Sequence, residues 1–265
     1  MSIVTISRGS YSHGKEVAEK LAQKLGYECI SREVILQASE HFNVPELKLR
    51  HAIHDAPSIL DRFTYGRERY IAYVREALMH HFVKDNVVYH GLAGHFFMRG
   101  VSHVLKVRIL ADLEDRVAEE MKREGISSAA EARATLLKDD EERHRWSQHL
   151  YGIDTPNPSL YDLVIHITPI TTDEAVEIIQ CALARPCFQT TPKSQKTMEI
   201  LFRAAQVQAA LVEEIPSAQA EVEDGEIVVS IKGGLWGQEK KLIAKVEQIS
   251  DNVGGVKAKV RLISP

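Results

Sequence analysis

The chain has little cysteine: three residues in 265, at Cys29, Cys181 and Cys187. They are scattered and odd in number, which excludes a disulfide scaffold and reads as reduced thiols in a cytoplasmic protein. Positive charge is not in excess either. Lys+Arg number 33 against 37 Asp+Glu, a formal net charge of -4. That offers no global attraction for nucleic acid or anionic lipid, so neither is an expected partner. No run approaches the roughly 18 uncharged apolar residues that a membrane span needs. Met1-Ser-Ile-Val-Thr-Ile lacks the basic start and long apolar run of a secretion signal. Internal repeats and low-complexity tracts are also missing. What remains is ordinary for a soluble globular chain, with 44% hydrophobic and 26% charged residues. The length suits one large domain or two smaller ones.

The first 188 residues alternate short β-like runs with helical patterns. Ser2 to Ser7, Tyr27 to Ile30, Val87 to Tyr89, Val104 to Leu110 and Tyr161 to Ile167 read as strands. Residues 14 to 25 carry Val17, Ala18, Leu21, Ala22 and Leu25 on one helical face, closed by Gly26. Residues 32 to 85, 112 to 150 and 172 to 184 read as helical. This alternation predicts an α/β fold, a parallel sheet covered on both faces. Residues 185 to 197 hold two prolines and several polar residues, which suits a linker. The rest reads α-β-β-α-β, with Asp224-Gly225 as the turn of a hairpin. The expectation is a domain at 1–188, a linker at 189–197 and a small α+β domain at 198–265.

The most informative segment joins the first strand to the first helix, Ile6-Ser-Arg-Gly-Ser-Tyr-Ser-His-Gly-Lys-Glu16. Gly9-x4-Gly14-Lys15 matches the G-x-x-x-x-G-K core of a phosphate-binding loop. Such a loop aims backbone N–H groups and the positive end of a helix dipole at one spot. Arg8, Gly9, Ser10, Ser12, His13, Gly14, Lys15 and Glu16 are the candidate phosphate-contacting residues. Position 16 holds a carboxylate where the motif has Ser or Thr for Mg²⁺. No Cys pair or His-Glu-x-x-His offers a metal site made by protein alone. Neither does any Gly-x-Ser-x-Gly point to a hydrolase.

The opening, from Ile3 to Ala22, resembles that of the cytidylate kinase-like proteins of the P-loop nucleoside monophosphate kinase superfamily. Their pattern, I-S-R-x-x-G-S-G-G-[RK]-E-[IV]-A-x-x-L-A, is met by Ser7, Arg8, Ser12, Gly14, Lys15, Glu16 and Ala18. Ser31-Arg32-Glu33 is similar to the family's D-R-E, and Tyr161-Asp-Leu-Val-Ile to its last strand. Asp140 and Arg143 fall where its lid carries Asp and Arg. The resemblance implies a three-layer P-loop fold with a helical insert and a lid. It implies an ATP- and Mg²⁺-using kinase for a nucleoside monophosphate, with Lys15, Arg116 and Arg143 as catalytic candidates. Arg32, Arg67, Arg69 and Arg145 become candidates for holding the acceptor, and Glu16 a candidate neighbour of Mg²⁺. Tyr11 and His13 replace two family glycines, and His90-Gly91-Leu92-Ala93-Gly94 lacks the family's Gly-Arg. These departures leave a second reading open, a P-loop nucleotide sensor or scaffold without turnover. Residues 198–265 resemble a BON domain, which implies a protein partner or self-association there.

Overall fold

Strands form where β-branched residues cluster, and the first helix forms where the apolar stripe recurs every three to four residues. In the computed structural model, which describes residues 2–9, 12–31, 33–34, 65–91, 94–232 and 239–263, β1 spans Ile3–Arg8 and α1 spans Gly14–Leu25. β2 (Glu28–Ser31), β3 (Val87–His90), β4 (Val104–Ala111) and β5 (Leu163–Ile167) complete a sheet of order β2-β3-β1-β4-β5. Every pairing in it is parallel. This is the expected α/β fold, and its order puts β1 at the centre with the loop of interest at its carboxyl end.

The helical stripe of α1 does what its spacing predicts. Val17, Ala18 and Leu21 are fully buried against Val4, Ile6, Val88, Leu105 and Val107. Gly26 takes φ 68 and returns its N–H to the carbonyls of Ala22 and Gln23, which ends the helix. The charged stretch read as helical over 112 to 150 forms two helices. α3 (Leu113–Glu124) stops at Gly125, and α4 (Ala129–Tyr151) starts again behind Ser128, whose hydroxyl accepts from the Glu131 N–H. α5 (Thr172–Leu183) opens with a reciprocal Thr171–Glu174 capping box.

The chain divides into two compact units, Met1–Glu33 with Lys84–Thr191, and Val34–Val83 with Pro192–Pro265. The second unit contains α2 (Gly66–Phe82) and α6 (Pro192–Glu214). It also contains β6 (Gln219–Glu223), β7 (Glu226–Lys232), α7 (Glu239–Asn252) and β8 (Ala258–Ile263). β6 and β7 form an antiparallel hairpin through Asp224 and Gly225, both at positive φ, and β8 adds parallel to β7. The α-β-β-α-β order is therefore present. Two details differ from the sequence reading. The stretch given to a linker is helical from Pro192 onward, because proline suits the first turn of a helix. Further, α2 packs within the second unit: Ala72 and Tyr73 meet Ala209 and Val212 of α6, and Arg75 donates to the Ala220 carbonyl at 3.0 Å.

Leu211 is fully buried in the core of the second unit, among Val207, Ala220, Val229 and Val246. Leu211→Ala should cost about 2–5 kcal/mol in a denaturant titration. A loss below about 1 kcal/mol would show that this core is not packed as described.

Candidate functional site

β1 delivers Arg8 and Gly9 to the carboxyl edge of the sheet, where parallel α/β folds place their ligands. Ser12 is 1% exposed, and its Oγ lies 3.2 Å from the carbonyl oxygens of both Gly9 and Ile109. The hydroxyl expected on a phosphate instead ties the loop to itself and to β4. His13 follows at φ 60, in the left-handed region, and its side chain does not cap α1. Its Nδ1 lies 3.2 Å from Glu16 Oε2. The first N–H groups of α1 thus have no side-chain cap, an arrangement that suits an anion.

Gly14 has a steric reason to be glycine. A Cβ there would lie 2.7 Å from Arg8 Cβ and 2.8 Å from Arg8 Cδ. The Arg8 stem therefore lies flat over the start of the helix.

Arg116 of α3 reaches the loop from outside it. Its Nη2 donates to Asp140 Oδ2 of α4 at 2.6 Å, and its side chain is 11% exposed. A Cβ placed on Gly9 would be 3.8 Å from both the Arg116 guanidinium and Asp140 Oδ1. The pair sits directly over the loop. Arg143 is half-buried one turn further along α4, close enough to oppose the upward push that burial gives the Asp139 carboxyl.

The remaining expected residues fall into different surroundings. Lys15 is 61% exposed and lies 3.6 Å from Glu19. Glu16 accepts from Lys20 at 3.0 Å and from Thr172 at 2.9 Å through one oxygen, and meets His13 through the other. Partial burial raises its pKa, but the hydrogen bonds from Lys20, Thr172 and His13 outweigh this and leave it below the ordinary value. Both Glu16 oxygens are therefore engaged, and the residue works as a tie from α1 to α5. Among the described residues no group of three His, Cys, Asp or Glu could hold a metal. Arg145 pairs with Glu141 on the outside of α4. In the second unit Arg69 lies 3.8 Å from Glu213, and Arg67 is exposed at the start of α2. Ser10, Tyr11 and Arg32 lie outside the described residues.

Two features escaped the sequence reading. The first is a knot below the loop. Arg108 of β4 donates to the Thr155 carbonyl at 2.9 Å and to Tyr161 Oη at 3.2 Å, and Tyr161 Oη lies 3.1 Å from Ser7 Oγ. Thr155 belongs to the segment that leaves α4, so the knot fastens the exit of α4 to the strand feeding the loop. The alternation Val104-Leu-Lys-Val-Arg-Ile109 was the available signal, since it puts Lys106 and Arg108 on one face. The second feature is the β3 exit, where the family arginine is missing. Gly91 has φ 154, and a Cβ on it would lie 2.7 Å from Tyr89 Oη; one on Gly94 would overlap the Tyr89 ring. Here the glycines make room for a buried tyrosine. His90 and His95 flank it, and burial lowers their pKa values to about 4 and about 3.

Three comparisons bear on this arrangement. The model of the cytidylate kinase-like family matches residues 3–169. A cytidylate kinase of Archaeoglobus fulgidus is 29% identical over 177 residues, 66% of this chain and 91% of that protein. One from Ignicoccus hospitalis is 28% identical over 184 residues, 68% of this chain and 98% of that protein. Among solved structures, an uncharacterized protein of Eubacterium ventriosum superposes with a TM-score of 0.55 at 19% identity, covering 70% of this chain and all of that one. That likeness concerns the fold.

Tyr161→Phe removes one hydroxyl from the knot and should cost about 1 kcal/mol of stability, read by denaturant titration. His95 gives a pH signature. It stays neutral in the folded state down to about pH 3, while the unfolded chain takes the proton near 6.5. Its contribution is complete above pH 6.5 and is lost as the pH falls from there toward 3. Relative to wild type, His95→Phe should therefore recover about 2 kcal/mol at pH 5 compared with pH 7.5. Parallel stability curves for the two proteins would refute the neutral, buried assignment.

Proposed function

The chain belongs to the cytidylate kinase-like family, and from that premise we propose that it transfers the γ-phosphoryl group of ATP to a nucleoside monophosphate of the CMP class. The observation that carries the reading is the nearly buried Arg116, held by Asp140 over Gly9 at the uncapped start of α1. Phosphoryl transfer asks a protein for positioning and charge neutralisation more than for covalent chemistry. The α1 N–H groups and dipole bind the polyphosphate, and Gly9 lets it approach the backbone. Arg116 donates to the oxygens on which charge develops, with its side chain already oriented by Asp140 and desolvated. Arg143, on the same helix as Asp140, adds a second donor as the lid segment covers the site and excludes water. Arg8 lines the loop from the strand side. Mg²⁺ would enter as a companion of the nucleotide and would neutralise phosphate charge, while Glu16 is engaged by Lys20, Thr172 and His13.

On the acceptor side the reading rests on the resemblance, through Arg32, Arg67, Arg69 and Arg145, with Lys15 as a further cation at the helix start. For residues 198–265 the BON-like reading rests on element order, and with it a protein partner or self-association. A cytoplasmic location accords with the free thiols and with the described helices, none of which is long and apolar enough to cross a membrane.

The test is a coupled assay of ATP with CMP, dCMP, UMP and AMP. We expect turnover with a pyrimidine monophosphate. Arg116→Ala should lower kcat by about 100–1000-fold with the fold intact by circular dichroism. ATP binding without turnover on any acceptor would return the protein to the sensor reading, and no ATP binding would discard both.

A further inference from the structure

The second unit has a cleft of about 400 Å³, lined by Ile200 and Arg203 of α6, the Gly225–Ile227 corner of the hairpin, and residues 255–259 leading into β8. Its size is at the lower end of small-molecule sites. Ile200, Ile227 and Val256 give it an apolar floor, and Arg203, Lys257 and Lys259 bring three cations to its rim. Glu226 is the carboxylate in the lining, and it is taken by Lys259. Arg203 and Lys257 have no hydrogen-bond or ion-pair partner among the described residues. This local excess stands against its background, since residues 196–265 carry nine Lys+Arg and ten Asp+Glu. Two unpaired cations over an apolar floor match an anionic head on a compact apolar body. Arginine in particular favours the planar, multi-oxygen face of a phosphate.

We propose that this cleft is a ligand site of the second unit for a small phosphate ester of nucleoside monophosphate size, separate from the loop between β1 and α1. The phosphate meets Arg203 and Lys257, and the ring or sugar lies on Ile200, Ile227 and Val256. No bond is made or broken there, so the site is one of binding.

The experiment uses the full chain, and the position of the protected segments separates the cleft from the loop. Hydrogen exchange and calorimetry are followed with AMP, inorganic phosphate and adenosine. AMP should slow exchange at residues 226–227 and 255–259, phosphate should compete with it, and adenosine should do neither. Adding Arg203→Glu and Lys257→Glu should weaken AMP binding at least about tenfold. Both side chains are exposed, so circular dichroism should be unchanged. The proposal is overturned if AMP protects neither segment, or if protection survives the charge reversal. Attachment to phosphatidylglycerol vesicles without AMP binding would overturn it as well, by making a lipid headgroup the ligand. Failure of the kinase assay leaves these readouts intact, so the two conclusions stand or fall separately.

Discussion

The arrangement of the first unit depends on one strand pair. β1 and β4 run parallel over six residues, from Ile3 opposite Val104 to Arg8 opposite Ile109. That register puts Ser7 beside Arg108 and leaves the Ile109 carbonyl where the Ser12 hydroxyl can reach it. It also starts α3 just beyond the end of β1, which brings Arg116 over Gly9. A one-residue slip would turn every side chain of β4 to the opposite face and dissolve these contacts together. Val4, Ile6, Leu105, Val107 and Ile109 resist such a slip, because all belong to the core under α1 and α5.

Two carboxylates near the loop, among the described residues, are engaged by partners. Asp140 holds Arg116, and Glu16 is shared by Lys20, Thr172 and His13. A free carboxylate beside a polyphosphate would repel it, and these pairings reduce that repulsion. The positive character of the loop then comes from backbone dipoles and arginine, neither of which changes charge near neutral pH. Burial likewise keeps His90 and His95 neutral, so the β3 exit adds no charge of its own.

The second unit is assembled from chain segments far apart in sequence. Arg75 of α2 hydrogen-bonds to Ala220 of β6, and Gln208 of α6 bridges the Ala218 carbonyl and the Ala220 N–H. Its parallel β7–β8 pair needs the α7 crossover to close. Such non-local pairing makes its formation depend on the first hundred residues as well as the last seventy.

Periodicity and caps made most elements legible: α1, α5, the hairpin at Asp224-Gly225 and all five strands of the large sheet stand where the sequence puts them. The glycine-rich loop was legible for the same local reason, since a strand, a flexible turn and an amphipathic helix each depend on neighbours in the chain. Side-chain partners were not. Lys15 reads as a phosphate ligand, and its exposed side chain lies 3.6 Å from Glu19; Ser12 reads as another, and its hydroxyl reaches the Ile109 carbonyl of β4. Arg69, an acceptor candidate by resemblance, lies 3.8 Å from Glu213, and Arg75 hydrogen-bonds to the Ala220 carbonyl within the second unit. Arg116 was legible as a catalytic candidate through the resemblance, but its pairing with Asp140 and its closeness to Gly9 were not. The sequence by itself determined which segments become helix and strand, because that choice is made over a few residues. Only the tertiary structure decided pairings such as Arg116 with Asp140 and Arg108 with Thr155 and Tyr161, because their partners lie far apart in the chain.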